Sequence, residues 1–212
     1  MSERITLKEL KQNEREARIN LLIDAAERVF ATKPFDKVSM REIANEAGMA
    51  PSTIYRYFPN QEALFVESVV RDHNRLIENF REAVSAADKS HGNRIRAVIE
   101  TFFRFIIQND SYFSMMTILM SHGNLSPESS DRVIEVMKRT LDLLDSLFNS
   151  MGYMENTRKL SRYFSSTLIG AVVAYRKLPG RSQDKIESYM NDVGRYLEES
   201  VMSMIEGSEP PA

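Results

Sequence analysis

Residues 38–65, VSMREIANEAGMAPSTIYRYFPNQEALF, constrain this chain more than any other stretch. They read as two short helices joined by a tight turn, with a third helix starting at once. Ser39 is a good N-cap, and Glu42 three residues on completes a capping box. Met40, Ile43, Ala44 and Ala47 recur at helical spacing. Gly48 ends that helix, because glycine takes the left-handed C′ conformation without steric cost. The second helix opens at Ala50-Pro51, where proline at N1 loses nothing by lacking an N–H. Ile54 and Phe58 stand four apart and face inward, leaving Pro51, Ser52, Thr53, Tyr55, Arg56 and Tyr57 on or beside the outer face. Helix, glycine turn and helix with a polar outer face is the pattern of a helix-turn-helix, whose second helix enters the DNA major groove. Short hydroxyls reach base edges and phosphates, Tyr and Arg serve phosphates, and Arg also grips guanine. Spacing alone leaves one alternative open, a helical hairpin with a solvated polar face.

Ile43-Ala44, Ala47-Gly48, Ser52-Thr53, Tyr55, Tyr57-Phe58 and Glu62-Ala63-Leu64-Phe65 together resemble the N-terminal domain of the TetR/AcrR family of bacterial one-component transcriptional regulators. Residues 19–35 fit that family's first helix. The resemblance covers roughly the first third of the chain. It implies DNA binding at an operator, followed by a variable helical domain for ligand binding and homodimerisation. It also implies that Tyr55 and Tyr57 serve phosphates while Arg41 and Thr53 read bases. Two residues depart from the pattern. Pro34 stands where the family often has Gly, which stiffens the link between the first two helices. Gln61 stands where a phosphate-binding Lys is common; it keeps a donor but loses the charge.

Composition narrows the alternatives. The 212 residues include no Cys, which removes disulfides, thiolate nucleophiles and Cys-based zinc sites and fits a cytoplasmic protein. The first ten residues alternate charges and carry no apolar signal core, and no apolar run approaches a membrane span. The net charge is −2, and residues 1–66 are balanced, so the cations for DNA must be placed rather than abundant. Lys8, Lys11, Arg15 and Arg18, with Arg41 and Arg56, are the candidates. The polar stretch before residue 14 reads either as a basic arm on DNA or as a frayed terminus.

Apolar periodicity predicts an all-α chain of about nine helices. The resemblance implies that they form a three-helix DNA-binding domain over 1–66 and a ligand-binding and dimerisation domain over 67–206, and composition predicts a disordered tail over 207–212. Helix one spans 14–32 and helix four 60–87, the latter joining the two domains without a flexible linker. Helices five to nine follow at 93–108, 111–122, 126–152, 156–178 and from 182. Residues 88–92 and Gly123 mark breaks.

Met and aromatic residues concentrate in helices five to eight. Any one of them reads as core, but the cluster taken with the resemblance reads as an apolar pocket. Phe102, Ile106, Phe113, Met116, Met120, Met137, Leu141 and Tyr163 are its expected lining, with Tyr163, Thr167 and Arg104 as orienting polar groups. Such walls suit a lipophilic small molecule. Ser166, Gly170 and Ala174, four apart, form a ridge of small side chains that permits close helix approach. With Tyr189, Val193 and Leu197 they are the expected dimer contacts, in a four-helix bundle. The three His residues are scattered, and no catalytic or phosphate-binding constellation is present, so no cofactor, metal site or enzymatic role is expected. The reading is a homodimeric repressor, released from a palindromic operator by its effector. The rivals are a DNA-binding regulator that activates or has no ligand, and an all-helical scaffold or adaptor.

Overall fold

The computed structural model describes residues 6–87, 91–121, 125–177 and 179–207. The break at 88–90, Gly123, the expected end of helix eight at Leu178 and the tail from 208 lie outside them. The described residues form α1 (Leu7–Thr32), a 3-10 turn (Phe35–Lys37), α2 (Met40–Glu46), α3 (Pro51–Ile54), α4 (Gln61–Ala86), α5 (His91–Gln108), α6 (Asp110–Ser121), α7 (Pro127–Ser150), α8 (Thr157–Tyr175) and α9 (Gln183–Glu206). No strand occurs among them.

They fall into two compact units. One comprises the described residues to Asp72 together with Asp110–Val133; the other comprises His73–Asn109 and the described residues from Ile134. This differs from a single division after residue 66. α4 and α7 each contribute to both units, and α6 packs on α1.

α1 begins seven residues earlier than apolar periodicity predicts. Thr6 caps it: the Glu9 carboxylate accepts from the Thr6 N–H at 2.7 Å, and the Glu9 N–H donates to Thr6 Oγ1 at 3.3 Å. Residues 7–17 bury nothing, so the cap and the i,i+4 pairs Gln12–Glu16 (2.6 Å) and Arg18–Glu14 (2.5 Å) replace packing as the reason for helix there. Further along, Leu22, Ile23, Ala25, Ala26 and Phe30 are buried. Phe30, Phe35 and Phe65 form a three-ring cluster with centroids 4.8–5.7 Å apart, and Arg71 of α4 ties back to Asp24 (2.7 Å) and Glu27 (2.6 Å) of α1.

In the second unit α5, α8 and α9 pack on one another. Phe148 and Phe164 meet edge to face at 5.5 Å. Gly194 of α9 sits against α5 so closely that a Cβ there would lie 2.7 Å from Ile99 Cγ2 and 3.2 Å from the Phe103 ring. Arg96 clamps Glu198 with two bonds of 2.9 and 2.8 Å across the same seam.

Candidate DNA interface and ligand cavity

The motif is built by local rules. Ser39 and Glu42 form the capping box, with the Ser39 N–H donating to the Glu42 carboxylate at 3.0 Å and the Glu42 N–H to Ser39 Oγ at 3.3 Å. Lys33 joins the same carboxylate at 2.5 Å. Lys33 first, then the Ser39 N–H, holds Glu42 below its ordinary pKa. α2 ends in a Schellman turn: Gly48 adopts φ 68°, its N–H bonds to Asn45 O at 3.0 Å, and the Met49 N–H reaches Ala44 O at 2.8 Å. α3 is a single turn opened by Pro51, with no side-chain cap. Ile54 and Phe58 are buried and fix its angle to α2.

This leaves Arg41, Pro51, Ser52, Tyr55 and Arg56 exposed, and Thr53 and Tyr57 half-buried. Arg41 and Arg56 have no acid partner among the described residues. Tyr57 contacts Arg18, whose charge is favoured first by Glu14 and then by this phenol. Gln61 differs from the others. Its amide is turned inward and donates to Phe35 O at 2.5 Å, so it bridges α4 to the turn after α1. The N-cap of α4 is Asn60, whose Oδ1 accepts from the Ala63 N–H at 2.8 Å.

The second unit holds a cavity of about 240 Å³. α4 supplies Leu76 and Phe80, α5 Val98 and Phe102, α7 Met137, Leu141 and Leu144, and α8 Phe164, Leu168 and Ile169. Among the expected residues it thus brings together Phe102, Met137 and Leu141. Ile106, Tyr163 and Thr167 do not line it. Ile106 is buried core, Tyr163 is exposed, and the Thr167 hydroxyl donates to its own helix at Tyr163 O, 3.0 Å. Phe113, Met116 and Met120 belong to α6 and hence to the first unit. Arg104 lies instead on an open, mixed-charge groove along α5 and α9.

The cavity's polar wall was not evident in the sequence. His73 Nε2 and Thr140 Oγ1 lie 2.7 Å apart, with Ser165, Ser166 and Arg162 nearby on the lining. Burial first, and the charge of Arg139 second, push the His73 imidazole down to a pKa of about 4. It is therefore neutral at physiological pH.

Of the expected dimer residues, Ser166, Gly170 and Ala174 are exposed along α8, and Tyr189 and Val193 are half-exposed on α9. Leu197 faces the other way and is buried within its own unit. Val173 and Tyr196, 60% and 63% exposed, extend the apolar stripe that the small residues begin.

No described helix is long and apolar enough to cross a membrane, and no cluster of potential metal ligands occurs among the described residues.

A capped helix, a Schellman turn and a short helix that buries Ile54 while presenting hydroxyls and unpaired arginine define a helix-turn-helix unit. Residues 22–67 match the model for bacterial regulatory proteins of the tetR family. Over that segment the chain is similar to the TetR family. Similar proteins include an uncharacterized HTH-type transcriptional regulator of Haemophilus influenzae, 35% identical over 96 residues, covering 45% of this chain and 46% of that protein. The fatty acid metabolism regulator protein of Bacillus subtilis is 28% identical over 130 residues, covering 59% and 63%. The chain thus spans roughly half to under two-thirds of these relatives' lengths. The structure of the transcriptional regulator FadR from Bacillus subtilis in complex with stearoyl-CoA shares the fold, with TM-score 0.71 at 21% identity over 84% of this chain and 96% of that one.

Proposed function

We propose that this chain is a homodimeric transcriptional repressor that leaves its operator when a long-chain acyl thioester occupies the α4/α5/α7/α8 cavity. The observation that carries the reading is that cavity: ten apolar side chains line it, beside the neutral hydrogen-bonding pair His73–Thr140 and the polar Arg162, Ser165 and Ser166. The neutral His73 imidazole bonds to the uncharged carbonyl of a thioester, while Arg162, the cation on the lining, meets the phosphates of its coenzyme A. The fatty acid metabolism regulator of Bacillus subtilis and the stearoyl-CoA complex of FadR point to the same ligand class.

Size supplies the switch. A cavity of about 240 Å³ falls below the roughly 300–1,000 Å³ of ordinary ligand pockets. A long acyl chain enters only by displacing the walls, which include α4 and α7. Ligand affinity therefore differs between narrow and widened states, the condition for any ligand-driven shift. The first turns of these two helices lie in the motif's unit, where Glu62 of α4 accepts from Ser126 at 2.6 Å, and Arg132 of α7 pairs with Glu67 of α4 at 3.0 Å. A displacement of either helix is carried to the motif as a rigid movement. Helix-turn-helix dimers need their two motifs about 34–36 Å apart, or a multiple of that, so a few ångströms suffice to unseat one. The exposed stripe through Gly170 and Val173 of α8 and Tyr196 of α9 is the surface for the second copy.

The test uses a duplex selected from a random-sequence pool by the protein itself. Stearoyl-CoA is expected to weaken binding at least tenfold, while stearate and coenzyme A alone leave it unchanged. If the protein binds the duplex and no acyl-CoA from eight to eighteen carbons alters its affinity, the ligand assignment fails. Arg41→Ala should cost about 1–3 kcal/mol of binding with loss of base preference at one position.

A further inference from the structure

Several cations in the motif's unit are used internally. Lys33 pairs with Glu42, Arg28 with Glu46, Arg71 with Asp24 and Glu27, and Arg132 with Glu67. Lys8, Lys11 and Arg15 have no acid partner among the described residues. The acids of the same turns are all committed, Glu9 to the Thr6 cap, Glu14 to Arg18 and Glu16 to Gln12. Spacings of three and four place Lys8, Lys11, Arg15 and Arg18 on one face of α1. From Lys8 to Arg18 that face is about 15 Å long at 1.5 Å per residue.

The face is continuous with the motif. Lys11, Arg15 and Arg18 line a cleft whose opposite wall is Arg56 and Tyr57, just past α3, with Glu14 inside it. The first three turns of α1 bury almost nothing, so core packing gives no reason for them to be helical. The capping box at Thr6 nevertheless holds them so. Four long cationic side chains are thereby mounted on a rigid rod, which lowers the ordering cost on binding. The tetR-family match begins only at residue 22, so that likeness assigns this segment no role.

We infer that the first three turns of α1 are a second DNA contact, in which Lys8, Lys11 and Arg15 bind backbone phosphates beside the segment that α2 and α3 occupy. The inference rests on the DNA-binding reading above. Phosphate contacts carry no sequence information. Their signature is the salt dependence of binding, about 0.9 in the log–log slope per contact on duplex DNA.

The experiment compares the full chain with the triple variant Lys8→Gln/Lys11→Gln/Arg15→Gln. Glutamine has nearly the helix propensity of Lys and Arg, so α1 persists, which circular dichroism checks. A second triple variant, Lys138→Gln/Lys159→Gln/Lys185→Gln, makes the same change of net charge in the other unit. Binding to the selected duplex is titrated from 50 to 300 mM KCl. The α1 variant is expected to flatten the slope by about 2–3 per protomer engaged, with its ranking of mutated duplexes unchanged and Arg15→Lys close to wild type. An unchanged slope overturns the inference, as does an equal flattening in the control variant or a changed sequence ranking. A wild-type protein with no salt-dependent affinity for any duplex overturns the DNA-binding reading itself, and this assignment with it.

Discussion

The buried His73 makes stability depend on pH in a calculable way. Its imidazole is 6% exposed and titrates near pH 4 when folded, against 6.5 for an unperturbed histidine. The folded pKa lies below the unfolded one, so the unfolded chain takes up the proton first. Stability is complete well above pH 6.5 and falls as the pH drops through 6.5 toward 4. For these two values the loss is about 2 kcal/mol at pH 5 and about 3 kcal/mol at pH 4. Other groups titrate in this range too, so the informative quantity is a difference. His73→Gln keeps a polar side chain but has no proton to gain. Urea unfolding of both proteins, at one fixed protomer concentration, should give curves that converge as the pH falls from 7 to 5. The wild type should lose about 2 kcal/mol more than the variant. Parallel curves would refute the reasoning, because they would mean that His73 is solvated, or protonated, in the folded state.

Three further outcomes follow. Gly194→Val should lower stability by about 1–3 kcal/mol, measured by denaturant midpoint, because its Cβ would meet Ile99 at 2.7 Å. Leu141→Trp should fill the cavity, leaving operator binding intact and abolishing the response to stearoyl-CoA; a normal response would move the ligand elsewhere. Gly170→Leu, at a site with no neighbour within 4 Å in the protomer, should leave the fold's circular dichroism intact and yield monomer in sedimentation. An unchanged dimer would place the interface on another face.

What the sequence made legible was what is encoded within four residues. Ser39 with Glu42, Asn60 before α4, Gly48 after α2 and Pro51 at the start of α3 each specify a helix end through the chain's own nearest groups, and each behaves as its residue type dictates. The start of α1 is encoded the same way, by Thr6 and Glu9, but no apolar stripe accompanies it, so periodicity placed the start too late. The rest depends on partners far along the chain. His73 and Thr140 are 67 residues apart, and nothing local to either announces the pair. Both sides of α9 carry apolar residues, so the pattern does not tell which side meets α5. Leu197 turns inward on the side of Gly194, which seats against Ile99 and Phe103, and Tyr196 turns outward. The Met-rich α6 looked like pocket lining because composition registers greasiness but not address.

The close seat of Gly194 on α5 also bears on how the chain is made. The motif's unit is complete once residue 133 has emerged, since α6 and the first two turns of α7 are its last pieces. The second unit must wait for α9, roughly seventy residues later, which at about 5–20 residues per second is on the order of 4–15 s. Through that interval the faces of Ile99 and Phe103 that Gly194 will cover stay open. The nascent chain thus holds every residue of the motif's unit while its other unit still exposes apolar surface. A chain stopped before residue 183 never closes that surface and becomes a substrate for chaperones and proteases.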